Sequence, residues 1–182
     1  MSAEQGKTDC AQMILSGTAA GVIGASHVAR LSGFENAISF DVGGTSADVA
    51  LIREYRADMS FDRNVAGFPI RLPAVDIETV GAGGGSIAWF DRDGLLKVGP
   101  ISAGADPGPA CYDRGGKRPT VTDANLALGR LSEGGLLGGE MELVPVLARE
   151  AFSEVAAQLG FSVEKIAYGV LGIVVANMVR AI

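Results

Sequence analysis

The sequence has 182 residues, 48% of them hydrophobic and 20% charged, with a mean hydropathy of +0.29; this balance excludes an intrinsically disordered chain and is apolar for one small domain. A net charge of −6 and an aromatic content of 6%, with a sequence pI near 4.8, exclude a basic, base-stacking nucleic-acid binder. No stretch approaches the ~18 apolar residues of a membrane span, the start Met1-Ser2-Ala3-Glu4-Gln5 is not a signal peptide, and Cys10 and Cys111 read as reduced thiols of a cytoplasmic protein.

Residues 1–12 are polar and aperiodic and read as a disordered arm or an appended end. Ser16-Gly17-Thr18 opens a helix to about Leu31, with Gly33 as its left-handed C′ residue and Phe34 as the hydrophobic contact behind it. Ala37–Asp41 and Ala47–Ile52 read as strands joined by the glycine turn Val42–Thr45, a hairpin. Further strands are expected near Tyr55–Phe61 and Phe68–Leu72. A second glycine loop, Thr79–Ser86, feeds Ile87–Phe90, and the turn Asp91–Gly94 leads to Leu95–Val98, another hairpin. Gly99–Arg118 is rich in glycine and proline, and a loop of this length between apolar elements is functional more often than it is a linker. Thr120 or Thr122 caps a helix through Leu131. After a Gly134–Gly139 loop come two helices, Val146–Leu159 and Val163–Ile182. The last is apolar on more than one side, which predicts burial between layers, and it reads as a helix running to the final residue. No linker or repeat divides the chain.

The strongest chemical signal is Phe40-Asp41-Val42-Gly43-Gly44-Thr45-Ser46-Ala47-Asp48. A strand delivers the Asp41 carboxylate at its end. Gly43 and Gly44 allow a turn with positive φ and let backbone N–H groups approach an anion without a Cβ in the way. Thr45 and Ser46 add hydroxyls for phosphate oxygens, and Asp48 starts the returning strand, where it and Asp41 hold Mg²⁺ or orient a water. No Gly-Lys-Ser/Thr follows, so this is not a Walker A loop. Gly83, Gly84, Gly85 and Ser86 repeat the logic in the second loop, with the carboxylates of Asp76 and Glu78 nearby in sequence. The other chemistry-bearing residues have plainer readings. Cys111 reads as a buried structural thiol, since a nucleophilic cysteine needs a base and the one histidine, His27, sits on the first helix. Thr122-Asp123 reads as helix capping. One histidine and two cysteines make no zinc set.

Five segments, Ser16–Gly21, Ile38–Asp48, Thr79–Trp89, Ser102–Tyr112 and Pro119–Asn125, taken in this order resemble the hydantoinase A / 5-oxoprolinase family, which includes N-methylhydantoinase and acetone and acetophenone carboxylase subunits. The resemblance implies an α/β fold, a mixed sheet with flanking helices, as in the ribonuclease-H-like half of an actin/hexokinase-like ATPase. It implies that residues 13–182 are a central part of a longer subunit's hydantoinase A domain, truncated at the C-terminus, with the 41–48 loop as the second of two phosphate loops. ATP with Mg²⁺ (or Mn²⁺) is the implied cofactor. Gly43, Gly44, Thr45, Ser46 and Gly83 to Ser86 are the implied phosphate contacts, and Asp41 and Asp48 the catalytic acids. The implied reaction is hydrolysis of a hydantoin- or 5-oxoproline-like cyclic amide, its carbonyl activated by phosphoryl transfer, with a second subunit of hydantoinase B type as partner. Rival readings are a ketone carboxylase subunit, a small-molecule kinase of the same fold, and a non-catalytic actin-like nucleotide-binding module. Two residues depart from the family pattern: Thr18 replaces a proline at a helix start, and Ala47 replaces a threonine, removing a hydroxyl beside the phosphate loop. Apolar faces made to pack against missing parts of the subunit are expected to drive self-association.

Overall fold

The computed structural model describes residues 3–8, 10–13, 16–65, 67–132, 135 and 140–182. Most of the Gly134–Gly139 loop therefore lies outside the described residues. The fold is mixed α/β and divides into two compact units, residues 1–41 with 48–78 and residues 42–47 with 79–182. The chain crosses between them at 41/42, 47/48 and 78/79. That is why no single linker marks the division in the sequence.

In the first unit, the stretch read as a loose arm contains the short helix α1 (Ala3–Thr8) and a 3-10 turn over Cys10–Met13. Helix α2 (Ser16–Leu31) ends as its sequence predicts. Gly33 has φ 77°, and Phe34 N donates to Ala29 O at 2.9 Å. The hydrophobic contact expected behind this cap is absent, because Phe34 is 66% exposed. Strands β1 (Ala37–Val42), β2 (Ala47–Arg53) and β3 (Arg56–Ala57) are neighbours in that order. The small residues of α2 let it settle over the sheet, Val22 packing with Ala50, Ile52 and Val75. The continuous strand expected over Tyr55–Phe61 is broken into β3 and β4 (Met59–Ser60), and β4 pairs with β7 (Ala74–Val75). Between them β5 (Arg63–Val65) and β6 (Phe68–Ile70) form a small antiparallel hairpin. Strand β8 spans Glu78–Val80.

The second unit is built on the hairpin of β9 (Ser86–Phe90) and β10 (Leu96–Ser102), with Phe90 opposite Leu96 and Ala88 opposite Val98. Its turn is held by Asp91, whose Oδ1 accepts from the amides of Asp93 and Leu95 at 3.0 and 2.9 Å. Helices α3 (Val121–Ala127) and α5 (Val163–Val179) pack on the hairpin, and α4 (Pro145–Leu159) packs on those two helices. Proline at the first position of α4 and left-handed Gly160 after its end fix its limits. Ser162 caps α5 by accepting from Lys165 N at 3.3 Å. Phe152, Ile166, Ala167, Val170, Leu171 and Val174 bury the shared core against Ala88 and Val98. Helix α5 stops at Val179 rather than running to Ile182. Ile166, Ala167, Val170, Leu171 and Val174 are buried, but Val175 and Val179 are exposed, so the expected burial between layers is not met within this unit, where the helix is covered on one side only. Among the described residues, no single helix is long and apolar enough to cross a membrane.

Candidate functional site: a glycine loop held by a second glycine loop

The turn between β1 and β2 is short because Gly43 N donates to Ser46 O at 2.9 Å, closing the hairpin after two intervening residues. Positive φ at its glycines was the sequence expectation. Neither Gly43 nor Gly44 has it, so the glycines answer a different demand.

That demand is the close approach of the second glycine loop. Gly84 N donates to Gly43 O at 3.0 Å, and Gly85 N donates to Gly44 O at 2.6 Å. A Cβ on Gly83 would stand 2.6 Å from Gly43 O and 2.8 Å from Ser46 N, and one on Gly85 would stand 2.8 Å from Gly44 O. No side chain fits at such separations, so two backbones touch here and glycine is the residue that permits it. The second loop is braced in turn. Gly83 N donates to Ser86 Oγ at 2.9 Å, and Ser86 N to Gly83 O at 3.1 Å. Thr122 N and Oγ1 both donate to Gly84 O, at 2.8 and 2.9 Å, and Ala103 N donates to Gly85 O at 2.8 Å.

The two loops thus differ in what their amides do. All four amides of Gly83, Gly84, Gly85 and Ser86 are taken by protein acceptors. Those of Gly44, Thr45 and Ser46 donate to no acceptor among the described residues. Gly44 and Thr45 are exposed, Ser46 is half-buried, and a Cβ on Gly44 would meet open space. Three amides of this externally braced turn are therefore not committed to the protein. Thr45 Oγ1 lies 3.4 Å from Ser102 Oγ, which accepts from Gly104 N at 3.1 Å. Ser102, at the end of β10, therefore belongs to the site although the sequence did not single it out. The signal was present in Ser102-Ala103-Gly104, a hydroxyl and a glycine leaving a strand.

Asp41 and Asp48 stand on β1 and β2, the strands that lead into and out of the turn. Asp41 is exposed and Asp48 half-buried. Both fall in the first unit, whereas the turn between them belongs to the second. Among the described residues, no group of three His, Cys, Asp or Glu side chains is arranged to hold a metal ion. A protein-only cage is thus not built. Mg²⁺ does not need one, since one or two carboxylates together with substrate phosphates are its common ligands. Asp76 and Glu78 are exposed in the first unit. Ala47 is fully buried, so the position that departs from the family pattern faces the interior.

Asp123 has the capping role expected of it and a second one. It is fully buried and forms a capping box with Thr120 at the start of α3. Its carboxylate accepts from Thr120 N and Oγ1 at 2.9 and 2.7 Å, and from Ala110 N and Cys111 N at 3.2 and 2.8 Å. One side chain thereby ties the Gly99–Arg118 loop to the helix that braces Gly84. Cys111 is fully buried. Burial first, and then the Asp123 charge beside it, push its thiol far above the ordinary range, so it is not an activated nucleophile. Burial also raises the Tyr112 phenol. His27 is exposed in the first unit, as expected for a helix-surface residue.

Residues 1–182 match the family model of hydantoinase/oxoprolinase. The chain is 49% identical over 156 residues to caprolactamase subunit alpha of Pseudomonas jessenii, covering 85% of this chain and 22% of that one. It is 41% identical over 184 residues to the acetophenone carboxylase gamma subunit of Aromatoleum aromaticum, covering 100% of this chain and 25% of that one. The crystal structure of the ATP-dependent caprolactamase from Pseudomonas jessenii superposes with a TM-score of 0.78 at 46% identity, covering 87% of this chain and 23% of that one. The chain spans between about a tenth and about a quarter of the length of the curated relatives it matches.

Proposed function

Since the chain belongs to the hydantoinase/oxoprolinase family, we propose that it supplies a phosphate-binding turn of an ATP-dependent enzyme that hydrolyses a cyclic amide through phosphoryl activation of its carbonyl. The observation that carries this reading is the contrast between the two glycine loops: the amides of Gly83 to Ser86 are all taken by protein acceptors, and three amides of the 43–46 turn are not.

In this reading the amides of Gly44, Thr45 and Ser46 and the Thr45 hydroxyl bind phosphate oxygens, and Gly83 to Ser86 set the turn instead of touching the nucleotide. Phosphoryl transfer asks a protein chiefly for positioning and for charge stabilisation by fixed dipoles. A turn braced by a second backbone meets that need, because its N–H groups do not have to reorganise as charge moves. Asp41 and Asp48 are the residues that would hold Mg²⁺ or Mn²⁺, which when bound neutralises phosphate charge. Alternatively, one of them orients the attacking water as a hydrogen-bond acceptor.

Ketone carboxylation is the second reading, favoured by the identity to the acetophenone carboxylase gamma subunit along the whole chain. We further propose a cytoplasmic, oligomeric enzyme that works with a second subunit of hydantoinase B type; the names of two relatives, each a subunit, support a multi-subunit assembly. Phosphate release by the complete protein, compared with hydantoin, 5-oxoproline or a lactam and with a ketone plus bicarbonate, tests the choice. Stimulation by the cyclic amides supports hydrolysis. Stimulation by ketone and bicarbonate alone replaces it with carboxylation, and by neither overturns both.

A further inference from the structure

A second place in the molecule gathers unneutralised positive charge. In the first unit a cavity of about 330 Å³ is lined by Ser26, His27 and Arg30 of α2 and by Tyr55 and Arg56 of the β2–β3 hairpin. The chain has 21 acidic residues against 15 Lys and Arg, yet no Asp or Glu lines this cavity. Among the described residues, neither arginine nor His27 is in an ion pair, whereas nearby Arg53 pairs with Asp58 at 2.6 Å.

The hairpin turn that forms one wall is unusual. Its two central residues, Glu54 and Tyr55, have left-handed φ values of 51° and 62°, a conformation that glycine or asparagine adopts at lower cost. Tyr55 is held there from both sides. Its N–H donates to Glu35 O at 2.9 Å, and its carbonyl accepts from Arg30 Nη2 at 3.5 Å. The Arg30 guanidinium also lies 5.8 Å from the centre of the Tyr55 ring. The strained turn and Arg30 thus fix each other, and Arg56 follows as the first residue of β3.

We propose that this cavity binds an oxyanion, the phosphate or carboxylate group of a small molecule, with Arg30 and Arg56 as its charged donors and His27 beside them. Guanidinium groups suit such a ligand because they present paired N–H donors and keep their charge. Arg30 is positioned before the ligand arrives, which reduces the ordering cost of binding. The site uses no residue of the 43–46 turn, so it stands or falls apart from the ATP reading.

The test is arginine modification by phenylglyoxal on the complete protein, mapped peptide by peptide, with inorganic phosphate or citrate as the probe. Both anions are expected to slow modification of Arg30 and Arg56 together, leaving Arg53 and Arg71 unchanged. Arg56→Gln is expected to raise the anion concentration that protects Arg30 about tenfold, the loss of one charge-assisted contact. Unchanged rates at Arg30 and Arg56, equal slowing at every arginine, or equal protection of Arg30 in the variant would overturn the proposal. If both arginines are protected in the assembled enzyme before any anion is added, an acidic partner group fills the cavity, and the small-molecule assignment is wrong.

Discussion

Gly83 stands so close to Gly43 that a Cβ on the first would lie 2.6 Å from the carbonyl oxygen of the second. The 43–46 turn is therefore shaped by a loop 40 residues further along the chain. Gly83→Ala is expected to destabilise the protein by about 1–3 kcal/mol through overpacking and to raise the KM for ATP. Gly94→Ala is the contrasting control for φ strain, since Gly94 has φ 77° and open space around its Cβ position. It should lower the melting temperature and leave the KM alone.

Thr45 is the exposed hydroxyl on the open turn. Thr45→Ala should cut kcat/KM for ATP about tenfold or more, the scale of one hydrogen bond to a charged group, while Thr45→Ser retains most of it. Ser102→Ala, which removes the hydroxyl 3.4 Å from Thr45 Oγ1, should produce a smaller loss in the same parameter. Steady-state kinetics on the three variants separates a ligand contact from its support.

Asp123 accepts from four donors inside the protein. Asp123→Ala should cost at least about 3 kcal/mol, because each buried donor left without a partner costs about 1–3 kcal/mol. Denaturant unfolding measures it. A loss below 1 kcal/mol would show that water replaces the carboxylate.

Cys111 carries a pH prediction. Its folded-state thiol is raised well above its ordinary value, so the unfolded chain gives up this proton first as pH rises. The contribution to stability is full below the ordinary thiol pKa and declines as pH climbs beyond it. Wild-type protein should therefore lose stability above about pH 9 more steeply than Cys111→Ala. The native thiol should also resist alkylation at pH 8 while Cys10, which is exposed, reacts. Rapid alkylation of both would contradict the buried, protonated thiol.

The sequence was most legible where local chemistry decides structure. The glycine cap of α2, the existence of a hairpin at 43–46, the Asp91 turn, one of the two threonines offered as the cap of α3 (Thr120) and the Ser162 start of α5 each follow from residues within a turn of the feature. Legibility failed where distant backbone decides. Nothing in residues 81–86 says that the amides of Gly84 and Gly85 bond to Gly43 and Gly44, because that pairing is fixed only when the two loops meet. The same holds for β3 to β7, strands of two or three residues whose pairing is set by tertiary register. Asp123 was half legible: the capping box is local, and the bonds to Ala110 and Cys111 are not.

We propose that the open 43–46 turn binds the phosphates of ATP in an enzyme acting on cyclic amides. The most direct measurement is phosphate release by the complete protein, wild type and Thr45→Ala, with and without 5-oxoproline, hydantoin or caprolactam. Release is expected to be stimulated by at least one cyclic amide and reduced about tenfold or more by Thr45→Ala. Cyclic-amide-stimulated release that is unchanged by Thr45→Ala, or tight ATP binding with no stimulation by any cyclic amide, would contradict it.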